Sequence, residues 1–305
     1  MDNQTSITEF MLLEFSPTRE LQILHFLIFL VLYLAGVTGN LLIISAVAFD
    51  RRLHTPMYFF LMNLALQDLG QVSVIIPKSM INSLLNTRHI TYSGCVAQIL
   101  LFLFFAGSDF SILTVMAYDR YVAICNPLQY ELIMNKRACK KIIASAWIGG
   151  LFNSVLHTGA TFATALCSNI VNQFFCEIPQ LLKLYCSSQY QTEMVAICIS
   201  ILAVLGCFTF VIISYIHILM AVLRIPSAQG RKKAFSTCLP HLMVFSTLVL
   251  TSSIAHLSPA FNTPPHMDFI FAIMYSTVPP MLNPVIYSMR NKDIKVALSK
   301  LFGLR

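Results

Sequence analysis

ILHFLIFLVLYLAGVTGNLLIISAVA, residues 23–48, contains no Asp, Glu, Lys or Arg. Twenty predominantly apolar residues in helical form suffice to cross the hydrocarbon core of a bilayer, and this run exceeds that length. The rest of the chain has the same character. Of 305 residues, 57% are hydrophobic and 11% are charged, and the mean hydropathy is +0.73. A soluble domain usually carries about a quarter charged residues, so too few remain here to coat a surface in water. Nine cysteines are too few for a disulfide-built miniprotein. Residues 1–22 lack a basic leader followed by a sustained apolar core, so they do not read as a cleaved signal. They are expected to be extracellular, with the first span directing insertion.

Working outward, seven stretches reach span length, near residues 23–48, 57–80, 95–118, 142–164, 194–222, 237–259 and 268–289. Each is expected to be a helix, because backbone groups in lipid must bond within their own segment. The expected architecture is an all-α seven-transmembrane bundle, one receptor-sized domain over residues 1–305, with residues 290–305 as a cytoplasmic tail. With the N-terminus outside, 16 of the 20 Lys and Arg fall on the cytoplasmic side and 4 on the outer side. That asymmetry is the positive-inside rule. It accounts for nearly all of the net +7 and argues against nucleic acid as a partner. Asn3-Gln4-Thr5 is an N-glycosylation sequon, and this orientation puts Asn3 outside.

Motifs recur in order along the spans. Asn40 lies in the first, PMYFFLMNLALQD (56–68) opens the second, and MAYDRYVAICNPLQY (116–130) closes the third. Ser214-Tyr215 lies in the fifth, KAFSTCLPHL (233–242) leads into the sixth, and PPMLNPVIYSMRN (279–291) fills the seventh. In this combination the chain resembles the olfactory receptors of the rhodopsin-like class. The resemblance implies a plasma-membrane, multi-pass receptor. It would bind a small volatile molecule within the bundle and activate a heterotrimeric G protein, of the stimulatory type that raises cyclic AMP.

The motifs also have physical readings. Arg120, in Asp119-Arg120-Tyr121, can be held by its neighbouring carboxylate and then released to a partner. It can equally be an arginine snorkelling at the interface. The resemblance implies the switch, with Tyr215 and Tyr287 as its polar partners in the active state. Pro284, after Asn283, removes a backbone donor and crowds the preceding turn, which kinks the seventh span. That kink reads as a passive bend or as a hinge, and the resemblance implies a hinge. Asp68 and Asp109 lie inside apolar spans, where an ionisable group is costly unless satisfied. With Asn40 and Asn283 they are expected to cluster, sharing a sodium ion or a proton, or acting as hydrogen-bonded glue. Many family members have glutamate where this chain has Asp109.

Cys95, Cys167, Cys176 and Cys186 fall on the outer side, where disulfides persist. Four cysteines allow three pairings. The resemblance, with FFCEIPQLLKLYC (174–186), implies Cys95–Cys176 and Cys167–Cys186. Cys198 and Cys207 read as small core residues of the fifth span.

Distance from the aligned motifs assigns the ligand pocket to Phe102, Leu103, Ala106 and Gly107, Ile199 and Ala203, Val249, Ser252, Ser253 and His256, and Ser276 and Thr277. Each can also be ordinary packing, and the serines can bond to their own helix backbone. The set is mostly apolar and holds no acid placed to bind an amine, which favours a neutral or weakly polar ligand. Leu248-Val249-Leu250 stands where many family members have an aromatic pair.

Other classes fit less well. A transporter predicts inverted repeats with paired broken helices, and neither is evident. No HExxH or GxSxG pattern marks an enzyme. A peptide or amine receptor would differ in MAYDRYVAIC and KAFSTC. No His or Cys spacing supports a structural metal site, so the expected cofactor is none beyond that sodium ion. Ile294, Ala297, Leu298 and Leu301 form a helical stripe, expected to lie on the inner lipid surface.

Overall fold

A computed structural model describes residues 7–13, 18–186, 191–224, 226–257 and 265–303. Side chains of 191–193, 233, 234, 236, 237, 240, 255–257, 265, 266 and 288–290 lie outside that description. The predicted sites Asn3 and His256 therefore fall outside the described side chains.

The spans are α1 (Arg19–Phe49), α2 (Pro56–Leu85), α3 (Tyr92–Cys125), α5 (Lys136–Phe162), α7 (Gln191–Leu223), α8 (Ala228–Leu257), and the pair α9 (Pro265–Ser276) and α10 (Val278–Arg290). Short α4 (Tyr130–Ile133) and α6 (Ile178–Leu182) lie in loops, and α11 (Lys292–Leu301) follows the last span. Helix α2 opens with Pro56 in its first turn, where the missing N–H costs nothing. Thr91 caps α3 by accepting from the Gly94 N–H, and Asn135 caps α5 by accepting from that of Ala138.

Apolar content is uneven. Four helices (α1, α2, α3 and α7) are long and apolar enough to cross a membrane alone. The α9–α10 pair makes a fifth span, bent by 40°. Helices α5 and α8 have the length and each begins with basic residues, and among the described residues of α8 His241–Ile254 forms an apolar stretch. The bend at Thr277 precedes Pro279 and Pro280, which cannot donate to the helical ladder.

Helix α3 sits at the centre, in contact with α2, α5, α7 and α8. One core lies in the cytoplasmic half, around Phe60, Leu64, Ile112, Leu113, Phe245 and Tyr215. A second lies towards the outer mouth, around Phe102, Phe174, Phe175 and Tyr275. Glycines permit close helix contacts. A Cβ on Gly150 of α5 would lie 2.2 Å from Ser108 Oγ of α3, and one on Gly39 would lie 2.8 Å from Pro284 Cβ.

The outer end is closed by a feature the hydropathy pattern does not reveal. Strand β1 (Glu9–Leu12) pairs antiparallel with β2 (His89–Thr91) and parallel with β3 (Ile170–Val171). Phe10 and Leu12 of β1 are buried beneath it. Part of the expected N-terminal tail is thus a strand of a small lid. At the other end Ile294 and Ala297 of α11 are buried and Leu298 packs on the bundle, while Leu301 is exposed. The apolar stripe of the tail thus packs largely on the bundle.

Candidate functional site

Both disulfides implied by the resemblance are formed. Cys95 at the start of α3 joins Cys176, with Cα atoms 5.5 Å apart, and Cys167 joins Cys186 at 4.8 Å. The first bond pulls the outer loop down against α3. Gln98, one turn inward, accepts from the Cys176 N–H at 2.9 Å and donates to the Val74 carbonyl at 3.1 Å, which ties loop, α3 and α2 together.

Beneath this loop lies a cavity of about 20 Å³, lined by Ile99, Phe102, Leu103, Cys176, Glu177, Ile178, Pro179 and Tyr275. It has room for about one water molecule. Phe102 and Leu103 are the two predicted pocket residues that line it. Ala106 lies one turn deeper against the outer core. Gly107 instead faces α5, its would-be Cβ 3.6 Å from Gly150 Cα, so it is a packing glycine.

In the fifth span the predicted register is off. Ile199 is 52% exposed and Ala203 is exposed, so both face away from the bundle, as does Cys198. The inward face carries Ala196, Val211 and Ser214. Ser200, next to Ile199, donates to Asn153 Oδ1 at 2.9 Å and lies 2.7 Å from His157 Nε2, both on α5. Cys207 is half-buried rather than core. Val249 packs on the cytoplasmic-side core, Ser252 is half-buried, and Ser253 is exposed. Ser276 and Thr277 are buried, but each hydroxyl donates to its own helix, to the carbonyls of Ala272 and Ile273 at 2.6 Å.

Glu177 is the site residue that spacing missed. It is buried in the cavity wall, where it accepts from the Tyr275 hydroxyl and, at 3.4 Å, from Gln173 Nε2. Burial pushes its carboxyl up to about 7, against the opposing pull of the hydrogen bonds from Tyr275 and Gln173. The premise that no acid faces the pocket is therefore corrected. Its signal was the Cys176-Glu177 dipeptide, since a disulfide that pins Cys176 onto α3 brings the next residue along.

The intramembrane polar residues gather around the second and seventh spans. Asn283 Nδ2 donates to both carboxylate oxygens of Asp68, at 3.0 and 2.9 Å. Asn40 Nδ2 donates to the Pro280 carbonyl at 3.0 Å, and Gln71 to that of Ser276 at 2.9 Å. These bonds occupy carbonyls near the break in span seven. Asp109 is buried close enough to Asp68 for their charges to repel. Among the described residues, Asp109 Oδ1, Asn283 Oδ1, Asn40 Oδ1 and the Tyr287 hydroxyl find no hydrogen-bond partner.

At the cytoplasmic end, the expected Asp119–Arg120 pair is not formed within 4 Å among the described residues. Asp119 instead accepts from Tyr130 at 2.8 Å, and Arg120 donates to the sulfur of Met57. Tyr121 stacks with Tyr118 and meets His217 edge-on. Tyr215 bonds to His241 Nδ1 at 2.7 Å. The other ring nitrogen of His241 donates to the Leu113 carbonyl at 2.8 Å. His241, quoted within KAFSTCLPHL but assigned no role there, thus joins α3, α7 and α8.

Seven spans around α3, a loop sealed onto α3 and a polar cytoplasmic end make up a bundle of the rhodopsin fold. Squid rhodopsin superposes with a TM-score of 0.74 at 19% identity, covering 94% of this chain and 86% of that one. The family model described as olfactory receptor matches residues 29–304. Human olfactory receptor 14J1 is 46% identical across 99% of this chain and 95% of its own length, and human olfactory receptor 14I1 is 47% identical across 99% and 97%. Mouse olfactory receptor 5AP2 is 41% identical, covering 98% and 95%. The chain belongs to the olfactory receptor family. It is a multi-pass plasma-membrane receptor and not an enzyme.

Proposed function

We propose that a small volatile organic molecule binds beneath the outer loop, between α3 and α9, and that the bundle then activates a stimulatory G protein and raises cyclic AMP. The observation that carries this reading is the cavity bounded by Phe102, Leu103, Glu177 and Tyr275. It meets one element from each part that has to sense a ligand: the loop, the central helix and the outer half of the broken span. At about 20 Å³ it is smaller than any odorant, so binding must move its walls, and that movement is the input signal. The output is release of the Tyr215–His241 contact, which lets α8 part from α3 and frees Tyr215 and Tyr287 to meet Arg120. The cytoplasmic ends, with Arg120, loop 126–141 and the tail, then receive the G protein.

Asp68 and Asp109 are proposed to share a sodium ion or a proton in the resting state. The unpartnered oxygens of Asp109 and Asn283 suit that role, since a hard cation takes oxygen ligands. Two carboxylates with neutral oxygens suit a monovalent ion, and among the described residues no larger cluster of acidic, His or Cys side chains occurs.

The test is a cyclic AMP reporter screen of the full chain against a diverse odorant panel, in cells with and without the stimulatory G protein. Agonists whose responses vanish without that G protein support the reading. Agonists whose responses persist unchanged overturn the coupling.

A further inference from the structure

The wall of the mouth cavity has an unusual division of hydrogen-bonding roles. Ile99, Phe102, Leu103, Ile178 and Pro179 present carbon to it, and Cys176 is consumed in its disulfide. Its polar side chains are Glu177 and Tyr275. The single hydroxyl proton of Tyr275 is already given to Glu177, so Tyr275 has no proton to offer a ligand. An ionised carboxylate likewise only accepts, at about four positions. Glu177 Oε2 receives Tyr275 and Oε1 receives Gln173, and Gln180 is a third side-chain donor to the carboxylate, which leaves about one of its roughly four acceptor positions for a ligand. With Glu177 ionised the cavity therefore offers acceptors, and a ligand brings the donor.

Charge points the same way. The nearby carboxylate of Asp268 is matched by Lys183, whose Nζ lies 3.0 Å away, and Gln180 also donates to it. Among the described residues no cation pairs with Glu177. A buried carboxylate in that position is costly until a positive group or a strong donor reaches it. That its carboxyl is held up to about 7 is the same cost seen from the proton's side.

We propose that Glu177 is the polar anchor of the ligand cavity, and that it selects odorants whose head group donates hydrogen bonds, small aliphatic amines and alcohols, over ethers, esters and ketones. This rests on the reading of the cavity as the ligand site. The present volume matches a single amino or hydroxyl head group, and the alkyl tail displaces Phe102 or Leu103. An amine also supplies the missing counter-charge, so it gains more from Glu177 than an alcohol does.

Three probes of equal heavy-atom count separate the outcomes: hexylamine, 1-hexanol and methyl pentyl ether. Each is titrated against the full chain in lipid nanodiscs while the melting temperature is followed. The amine and the alcohol stabilise the receptor at concentrations about tenfold or more below those the ether needs, as expected for a charge-assisted or unshared hydrogen bond. Glu177→Gln raises the amine concentration required by about tenfold or more and does not raise that of the ether, whose oxygen can accept from the new amide. Tyr275→Phe removes the competing hydroxyl and lowers the amine concentration several-fold. Equal potency of the three probes, or an amine titration unmoved by Glu177→Gln, overturns the proposal. If Glu177→Gln does not fold, an amine titration unmoved by Tyr275→Phe overturns it. The receptor reading survives such a failure so long as any odorant, ethers and ketones included, drives cyclic AMP.

Discussion

The hydroxyl of Tyr215 donates to Nδ1 of His241 across 2.7 Å, while Nε2 of the same ring donates to the carbonyl of Leu113 at 2.8 Å. A carbonyl only accepts, so Nε2 carries the proton, and in the neutral ring Nδ1 is the acceptor. One imidazole thereby holds the cytoplasmic halves of α3, α7 and α8 together. His241→Leu keeps the volume and loses both bonds. Each is worth about 1 kcal/mol, so ligand-independent cyclic AMP is expected to rise about fivefold or more at equal surface expression. An unchanged basal level would show that this contact does not hold the resting state.

The ion proposed at Asp68 and Asp109 gives a salt-specific expectation. Sodium shifts the equilibrium only if it binds the resting state better than the active one. Raising sodium at constant ionic strength, with potassium as the balance, is expected to lower G-protein activation by the purified receptor. Asp109→Asn is expected to abolish that dependence. A wild-type receptor indifferent to sodium contradicts the ion, and leaves the pair as a shared proton or as hydrogen-bonded glue.

The α3–α5 contact predicts a contrast between adjacent glycines. A methyl on Gly150 would collide with Ser108 Oγ and approach the Phe104 carbonyl within 3.0 Å, whereas nothing lies within 4 Å of one on Gly149. Gly150→Ala is expected to destabilise the receptor by about 1–3 kcal/mol. Gly149→Ala is expected to leave it unchanged or slightly firmer, alanine being the better helix former. Melting of the two variants in detergent measures the difference.

Glu177 predicts a pH dependence confined to the outer side. Its ordinary value is 4.5 and burial holds it at about 7 in the folded receptor. The folded state binds this proton more tightly than the unfolded one, so stability falls as external pH rises from about 4.5 through about 7. The groups facing it are Gln173, Tyr275, Gln180 and Asp268, with Lys183 on Asp268. Melting curves of wild type and Glu177→Gln between pH 4.5 and 8 test this. The slope is expected to flatten in the variant, and a slope that persists assigns the titration elsewhere.

Much of this was legible because lipid leaves the backbone few choices. The run at 23–48 could only be a helix, and the charge asymmetry oriented the bundle. The cysteines paired as the family motifs implied. What failed were readings that depend on helical phase or on tertiary reach. Ile199 and Ala203 were placed by counting from distant motifs. In a helix whose exposed face is as apolar as its buried one, nothing local reports the rotation, and Ser200 was the inward neighbour. Strand β1 went unseen because four residues ending a polar tail carry no signal until β2 and β3 accept them. Asp119 was assigned to Arg120 by adjacency, but consecutive residues on a helix point about 100° apart, and Tyr130 from the following loop reaches the carboxylate instead. Glu177 was visible as a letter, and only the fold showed that it lines the cavity.

Arg120, half-buried beside Met57 at the end of α3, carries the central claim that this bundle converts odorant binding into G-protein activation. The most direct measurement compares the cyclic AMP response of wild type and Arg120→Ala to any agonist from the odorant panel, at matched surface expression. The account predicts that the response is lost in the variant while ligand-induced stabilisation of the purified receptor persists. An agonist response that survives Arg120→Ala unchanged would contradict it.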